Sequence, residues 1–403
     1  MMRGKLRDYF QGIGYKRLTP VEVDPSTSNE HEFNGITPFR ELFGTAKQHF
    51  CVKMLYLCDA GDDIVEDNAI FTWYDARQNH PTRTEYRLYY RSSSCIAKAS
   101  PGDLMVLAVN HPTDEQSKSL TVCIARAGDT IEKQLAWLFG IDLCCVSNQA
   151  IVQRESDRSI DYFTALILEK LGIHIEENDT NLLNQLVQRF HNEFPATYAF
   201  SEFVRSIDTS VDCRNNPDEA LITWMENEER AFRLLENKIV QEKLDQGFTD
   251  VDDFVNFSLS IHNRRKARAG YALEHHLCYI FDSFGIRYSY NQITENRSRP
   301  DFLFPGIEEY RNMNYPQTSL TMLGVKTTCK DRWRQVLSEA QRISHKHLLT
   351  LEPSISITQT TEMQDKNLQL IVPQQIFGSY TEQQQQWLMN LSEFIQLIQE
   401  REA

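Results

Sequence analysis

Pro300-Asp301-Phe302-Leu303-Phe304-Pro305 and, sixteen residues further on, Thr321-Met322-Leu323-Gly324-Val325-Lys326 decide the fold of the C-terminal half of this chain. Both are short apolar runs bounded by turn residues, and they predict neighbouring strands. Asp301 stands where the first strand starts and Lys326 where the second ends, so the two side chains can sit side by side at a sheet edge. Strands and helices alternate outward from this pair. A helix is expected over about 331–345, with Val336, Ala340 and Ile343 on one face, and strands over 348–351 and 368–372. A last helix is expected from Thr381, with Gln384 closing a capping box and Trp387, Leu388, Leu391, Phe394, Ile395 and Ile398 on one stripe. Upstream, Pro217 opens a long helix reaching about Leu244. Thr249 with Asp252 starts a short helix carrying Val251, Phe254, Val255 and Leu259, and a separate helix covers about 266–284. These elements make a mixed α/β domain.

The N-terminal part reads differently. Runs at 50–57, 69–74, 104–109 and 120–125 are β-prone, and Ser100-Pro101-Gly102-Asp103 is a turn signal. Short strands with such punctuation indicate a small barrel or sandwich, followed by a helix over about 130–138. The chain then turns polar and partly helical, which predicts domains over 1–156 and 157–403, with 157–182 a linker or leading helix. At 403 residues, two to three domains are expected. A 41% hydrophobic and 24% charged composition suits a globular protein. No apolar stretch approaches the roughly 18 residues that cross a bilayer, and Met1-Met2-Arg3-Gly4-Lys5 leads into no signal core. A cytoplasmic protein without membrane contact is expected. Nine cysteines without a CxxC pair predict reduced thiols rather than a zinc site. The net charge of −14 excludes a chain that coats nucleic acid indiscriminately, though not one with local basic stripes.

Phosphodiester hydrolysis needs an activated water and a cation to neutralise charge on the phosphate, and Mg²⁺ takes carboxylate and water ligands. Asp301 is the expected metal ligand and Lys326 the residue beside the water, in the spacing PD…(D/E)XK of Mg²⁺-dependent DNA nucleases. That motif places an acid two residues before the lysine, where this chain has Gly324. Glu339, thirteen residues past Lys326 on the expected helix, can fill the vacated space and join Asp301 as a metal ligand. Glu274 is a fourth catalytic candidate, and Tyr310 a further one near the phosphate, while His275 and His276 read as packing residues. Two basic clusters bracket these acids: Arg264-Arg265-Lys266 with Arg268, and Lys330, Arg332 and Arg334. Lys330-Asp331-Arg332 mixes donors with an acceptor and suits G·C pairs.

Three stretches carry a family likeness: Asn263-Arg264-Arg265-Lys266-Ala267-Arg268-Ala269-Gly270, then 299–305, then Val325-Lys326-Thr327-Thr328-Cys329-Lys330-Asp331-Arg332-Trp333-Arg334-Gln335. Together they resemble EcoRII-type Type II restriction endonucleases from about Asn216 almost to the C-terminus. The resemblance implies that Asp301, Lys326 and Glu339 are catalytic, the second acid having moved past the lysine, and that Lys330, Asp331 and Arg332 read the outer C·G pairs of a CC-centre-GG site. His31 and the run Thr82-Arg83-Thr84-Glu85-Tyr86-Arg87 resemble, more weakly, the family's effector domain, a DNA-binding pseudobarrel. By that likeness Arg83, Glu85 and Arg87 contact a second copy of the recognition sequence, and the unoccupied domain blocks the catalytic cleft. Pro81 stands where the family has a lysine.

The combined expectation is a two-domain α+β and α/β protein, an N-terminal β pseudobarrel ahead of a restriction-endonuclease-like domain. It would be a homodimer cutting double-stranded DNA at a CC(A/T)GG-like site with Mg²⁺, activated by a second site and autoinhibited without one, alongside a cognate cytosine methyltransferase. The alternative is a DNA-binding regulator whose nuclease domain does not cleave.

Overall fold

The computed structural model describes residues 4–24, 26–27, 31–59, 64–91, 93–111, 118–154, 157–173, 175, 179–329 and 332–402. They form two compact units, Met1–Ile175 with Ser354–Ser356, and Glu176–Pro353 with Ile357–Ala403. Among the described residues no helix is long and apolar enough to cross a membrane.

The first unit is built on β1 (Phe10–Arg17), β2 (Glu32–Phe33), β3 (Gln48–Leu57), β4 (Val65–Asp75), β5 (Tyr86–Tyr89), β6 (Leu104–Asn110), β7 (Ser119–Ala125) and β8 (Ile151–Arg154). They form one sheet in the order β2-β5-β4-β3-β7-β6-β1-β8, antiparallel except for the parallel pair β3–β7. Side chains alternate between two cores, as a strand period of two requires. Phe50, Val52 and Met54 with Met105 and Leu107 fill one face. Leu55, Leu57, Leu104 and Val106 fill the other, beneath helices Thr130–Phe139 and Tyr162–Lys170. Burial on both faces explains why β6 and β7 read as unbroken apolar runs rather than as alternation. Ile167, Leu168 and Leu171 are buried in the second core, so the helix Tyr162–Lys170 belongs to this unit.

In the second unit β9 (Ser289–Tyr290), β10 (Phe302–Phe304), β11 (Thr321–Lys326), β12 (Lys346–Thr350) and β13 (Leu368–Ile371) form a sheet in the order β13-β12-β11-β10-β9. β9, β10 and β11 are antiparallel, and β11, β12 and β13 parallel. β11 is therefore the central strand and not an edge, which is why its residues from Thr321 to Val325 are all buried. Two long helices, Pro217–Gln246 and Val251–Ser283, accompany the sheet. Phe281 packs edge-on against Phe302 and Phe304 with ring centroids 5.3 and 5.2 Å apart.

Three expected elements differ. The two helices anticipated on either side of residue 262 are one, since nothing from Ser260 to Lys266 breaks a helix, and its cap is Asp250, which accepts from the Asp253 amide at 2.8 Å. The last helix is divided: the capping box at Thr381 starts only Glu382–Gln385, and a new helix runs Leu391–Glu402. Between them Met389 exchanges backbone hydrogen bonds with Leu370 and Val372 of the β13 segment, which draws the chain out of helix. The helix expected over 331–345 is confined to Trp333–Val336, and this change bears on the site.

Candidate active site

Register brings the acid and the lysine together. Phe302 pairs with Leu323, so Asp301, just ahead of β10, lies beside the C-terminal half of β11. Its Oδ2 accepts from the Val325 amide at 2.6 Å and from Lys326 Nζ at 3.0 Å. Only 8% of Asp301 is exposed.

Gly324 has no room for a side chain. A Cβ there would stand 2.8 Å from Val336 Cγ2 and 3.1 Å from Cγ1, so the short helix Trp333–Val336 occupies the space of the missing acid. Gly324→Ala is expected to cost about 1–3 kcal/mol by overpacking, and Gly324→Asp about 3–5 kcal/mol because it also buries a charge. Denaturant melts of the two variants check this, and wild-type stability in Gly324→Asp would refute the packing account.

Glu339 follows three residues after Val336, in a bend rather than on a helix. The chain leaves helical geometry at Ala340, whose φ is +45°. Tertiary ties impose this. Lys346 Nζ donates to the carbonyls of Glu339 and Ala340, the Gln341 amide donates to Glu295, and Arg342 donates to the carbonyls of Glu309, Tyr310, Asn312 and Tyr315. Burial pushes the Glu339 carboxyl up to about 7, Asp301 adding to the rise while Lys326 and Lys346 oppose it. Its Oε2 is buried without a hydrogen-bond partner. Glu274 is also raised by burial and by Asp301, against Lys326 and the hydroxyl that Tyr290 donates to it.

Asp301, Glu339, Glu274 and Lys326 thus share one electrostatic neighbourhood, with Lys346 also acting on Glu339. Among the described residues no group of three or more His, Cys, Asp or Glu side chains could by itself hold a metal. Two carboxylates, one with an unpartnered oxygen, are nevertheless the donor set of a hard cation that keeps most of its waters.

Residues 232–395 match the family model described as EcoRII C terminal. This segment is similar to the EcoRII C-terminal domain. Over 230 residues the chain is 39% identical to the Type II restriction enzyme EcoRII of Escherichia coli, an alignment covering 56% of this chain and 55% of that enzyme. The chain thus spans about half the length of the curated relative it matches. Two solved structures also resemble it. Metal-depleted Ecl18kI in complex with uncleaved DNA gives a TM-score of 0.45 at 17% identity, over 55% of this chain and 83% of that one. The restriction endonuclease PspGI–substrate DNA complex gives 0.41 at 16% identity, over 55% and 91%.

Other anticipated residues lie elsewhere. Tyr310 is buried with its hydroxyl given to both oxygens of Glu295, at 2.9 and 2.7 Å, and its phenol is pushed up to about 12. It braces the turn that carries Glu339 and does not join the acids. Arg268 is 7% exposed, ion-paired with Glu229 and 4.4 Å above the Phe232 ring. Against a burial that would raise it, Arg268 and Arg233 hold Glu229 down to about 2. Lending Arg268 to a phosphate would leave Arg233 as the cation on that carboxylate, and the ion pair favours a structural role for Arg268. Arg264 is exposed over Phe194, 4.8 Å from the ring centroid, and Lys266 is exposed. Arg332 is exposed, whereas Lys330 and Asp331 lie outside the described residues. The residues not anticipated are Tyr290, Lys346 and the Val325 amide. Tyr290 was detectable as an alternate position of Tyr288-Ser289-Tyr290, a short strand just ahead of the acid.

In the first unit β2 pairs with β5, Glu32 opposite Tyr89, which sets His31 against Tyr90, at the end of β5 away from the 83–87 run. His31 and Arg83 are exposed. Glu85 and Arg87 are joined at 2.8 Å, and Arg87 also reaches Glu32 at 2.6 Å. Those two side chains are committed to an ion-pair lattice, and Arg83 is the exposed cation of the run.

Proposed function

We propose that this chain is a Mg²⁺-dependent Type II restriction endonuclease that cuts double-stranded DNA at a CC(A/T)GG-like sequence. The observation that carries the reading is the Asp301–Lys326 contact at 3.0 Å next to the buried, unpartnered oxygen of Glu339. Asp301 and Glu339 would hold the Mg²⁺, which supplies charge neutralisation at the phosphate and a water that ionises more readily. Lys326 orients the attacking water through its ammonium while Asp301 holds that ammonium in place. The Val325 amide fixes the Asp301 carboxylate in place. Glu274 with Tyr290 shapes the remaining wall and adds negative field. The water loses a proton to solvent as its oxygen bonds to phosphorus, the bond to the leaving sugar oxygen breaks, and that oxygen gains a proton from solvent.

The segment 330–332 reads the outer base pairs in this proposal, and a homodimer matches the two-fold symmetry of the site. The first unit is a pseudobarrel effector domain that binds a second recognition sequence through the β5–β2 edge, with Arg83 and His31 toward the DNA and Glu85 and Arg87 setting its shape. Without that second site it restrains cleavage. The enzyme works in the cytoplasm beside a cytosine methyltransferase that protects the same sequence.

Plasmids carrying one or several CC(A/T)GG sites, incubated with the purified protein and Mg²⁺, test this. Fragments ending at those sites are expected, with multi-site plasmids cut faster. Absence of sequence-specific fragments at any site number removes the nuclease reading, and equal rates remove the effector role.

A further inference from the structure

Lys346 opens β12 with its ammonium inside the fold: it is 7% exposed and has no ion-pair partner among the described residues. A lysine is seldom buried unless a carboxylate pairs with it. This one gives its hydrogen bonds to main-chain carbonyls instead, those of Glu339 and, at 3.4 Å, of Ala340.

Those carbonyls lie where a helix stops. Trp333–Val336 is helical, and its continuation would have the Ile343 amide donate to the Glu339 carbonyl and the Gln341 amide to that of Leu337. The structure makes neither bond. The Ile343 amide donates to the Ala340 carbonyl at 2.9 Å, the Gln341 amide to the Glu295 carboxylate, and the Glu339 carbonyl accepts from Lys346. A cation and an anion have taken the acceptor and the donor that a helix needs, and Ala340 is left with a φ of +45°. A residue other than glycine stays there only where its surroundings fix it. Released, 337–345 would wind into the helix that their apolar spacing favours and carry Glu339 with them. The Glu339 carboxyl feels Asp301, Lys326 and Lys346 from its present place, with Oε2 buried and without a hydrogen-bond partner.

We infer that Lys346 is a positioning residue of the metal site: by holding the Glu339 and Ala340 carbonyls it stops the helix and keeps the displaced acid where it can share a cation with Asp301. The inference rests on the nuclease reading for the cation. It assigns Lys346 no contact with DNA or with the reacting atoms.

Melting of the full chain over a range of Mg²⁺ concentrations at pH 8, without DNA, tests it. Mg²⁺ should raise the wild-type melting temperature. In Lys346→Met the metal-free protein should still unfold cooperatively, and the Mg²⁺ concentration giving half of the rise should increase at least about tenfold. Loss of a positive charge beside two carboxylates would by itself lower that concentration, so the direction of the change separates positioning from simple attraction. Lys346→Gln, which keeps an N–H donor but is one atom too short, carries the same expectation should the methionine variant fail to fold. Single-turnover cleavage supplies a cycle. Lys346→Met should slow it about 10²-fold in the wild-type background and less than about threefold in Glu339→Gln, because the lysine acts through that acid. Equal losses in both backgrounds, an unchanged or lowered Mg²⁺ requirement, or a wild type that Mg²⁺ does not stabilise would each overturn the inference. A protein that shows the melting shifts and cuts no DNA would sink the nuclease reading alone. A cutting enzyme whose Mg²⁺ requirement ignores Lys346 would sink this inference alone.

Discussion

Lys326→Ala is expected to slow DNA cleavage by about 10³–10⁴-fold while leaving DNA affinity within a few-fold of wild type, because a positioned group at the water acts mainly on the chemical step. In the fold the lysine is held by one contact of consequence, Nζ to Asp301 Oδ2 at 3.0 Å, and it caps the last residue of the central strand. Its removal leaves Asp301 with the Val325 amide and so should not disturb the sheet. Lys326→Arg should not rescue, since a planar guanidinium cannot place a single compact charge in that position. Single-turnover cleavage with Mg²⁺ and filter binding without it separate the two effects. Cleavage within tenfold of wild type in Lys326→Ala would mean that the water is activated elsewhere.

Glu339→Gln is the second large effect, and it has two signatures. Cleavage should fall by about 10²–10⁴-fold, as for loss of a charged group at the reacting phosphate. Stability should change in the opposite sense. Burial, with Asp301, pushes the Glu339 carboxyl up to about 7 from an unfolded value of 4.5. A group raised in the fold contributes stability that is fully present below its unfolded pKa and is lost as pH rises through the folded one. The metal-free wild type should therefore lose stability between about pH 4.5 and 7, and the glutamine variant should lose none from this source. At pH 8 the variant is expected to be more stable by about 1–2 kcal/mol, a figure reduced because Glu339 is partly exposed. At pH 5 the two should melt alike. Mg²⁺ should raise the melting temperature of the wild type at pH 8 and barely move the variant. Parallel melting curves across this range would disprove the coupling of Glu339 to Asp301.

Much of the site was legible because it depends on local pattern and strand ends. Asp301 and Lys326 stand at opposite ends of two apolar runs, and antiparallel pairing alone makes them neighbours. What escaped a reading of the sequence depended on contacts distant along the chain. Residues 331–345 have a helical pattern, yet Glu295, Lys346 and the carbonyls of 309–315 hold 339–342 in a bend, and side chains far along the chain overrule propensity there. The basic run 264–268 suggested a helix boundary and a phosphate surface. It lies in mid-helix, and Arg268 is consumed by Glu229, a partner thirty-nine residues earlier.

The span between Lys326 and Glu339 is fastened at both ends. Cys329 donates its amide to the buried Glu352 at 2.5 Å, and Arg342 is clamped by the carbonyls of 309–315. The working lysine and the working acid each have their own mooring, and neither depends on the course of the chain between them. Under the proposed reading, in which 330–332 meets the bases, that stretch is an exchangeable cassette. Its wording can be rewritten to address another sequence while the cutting machinery stays in register, which separates the evolution of target choice from that of catalysis.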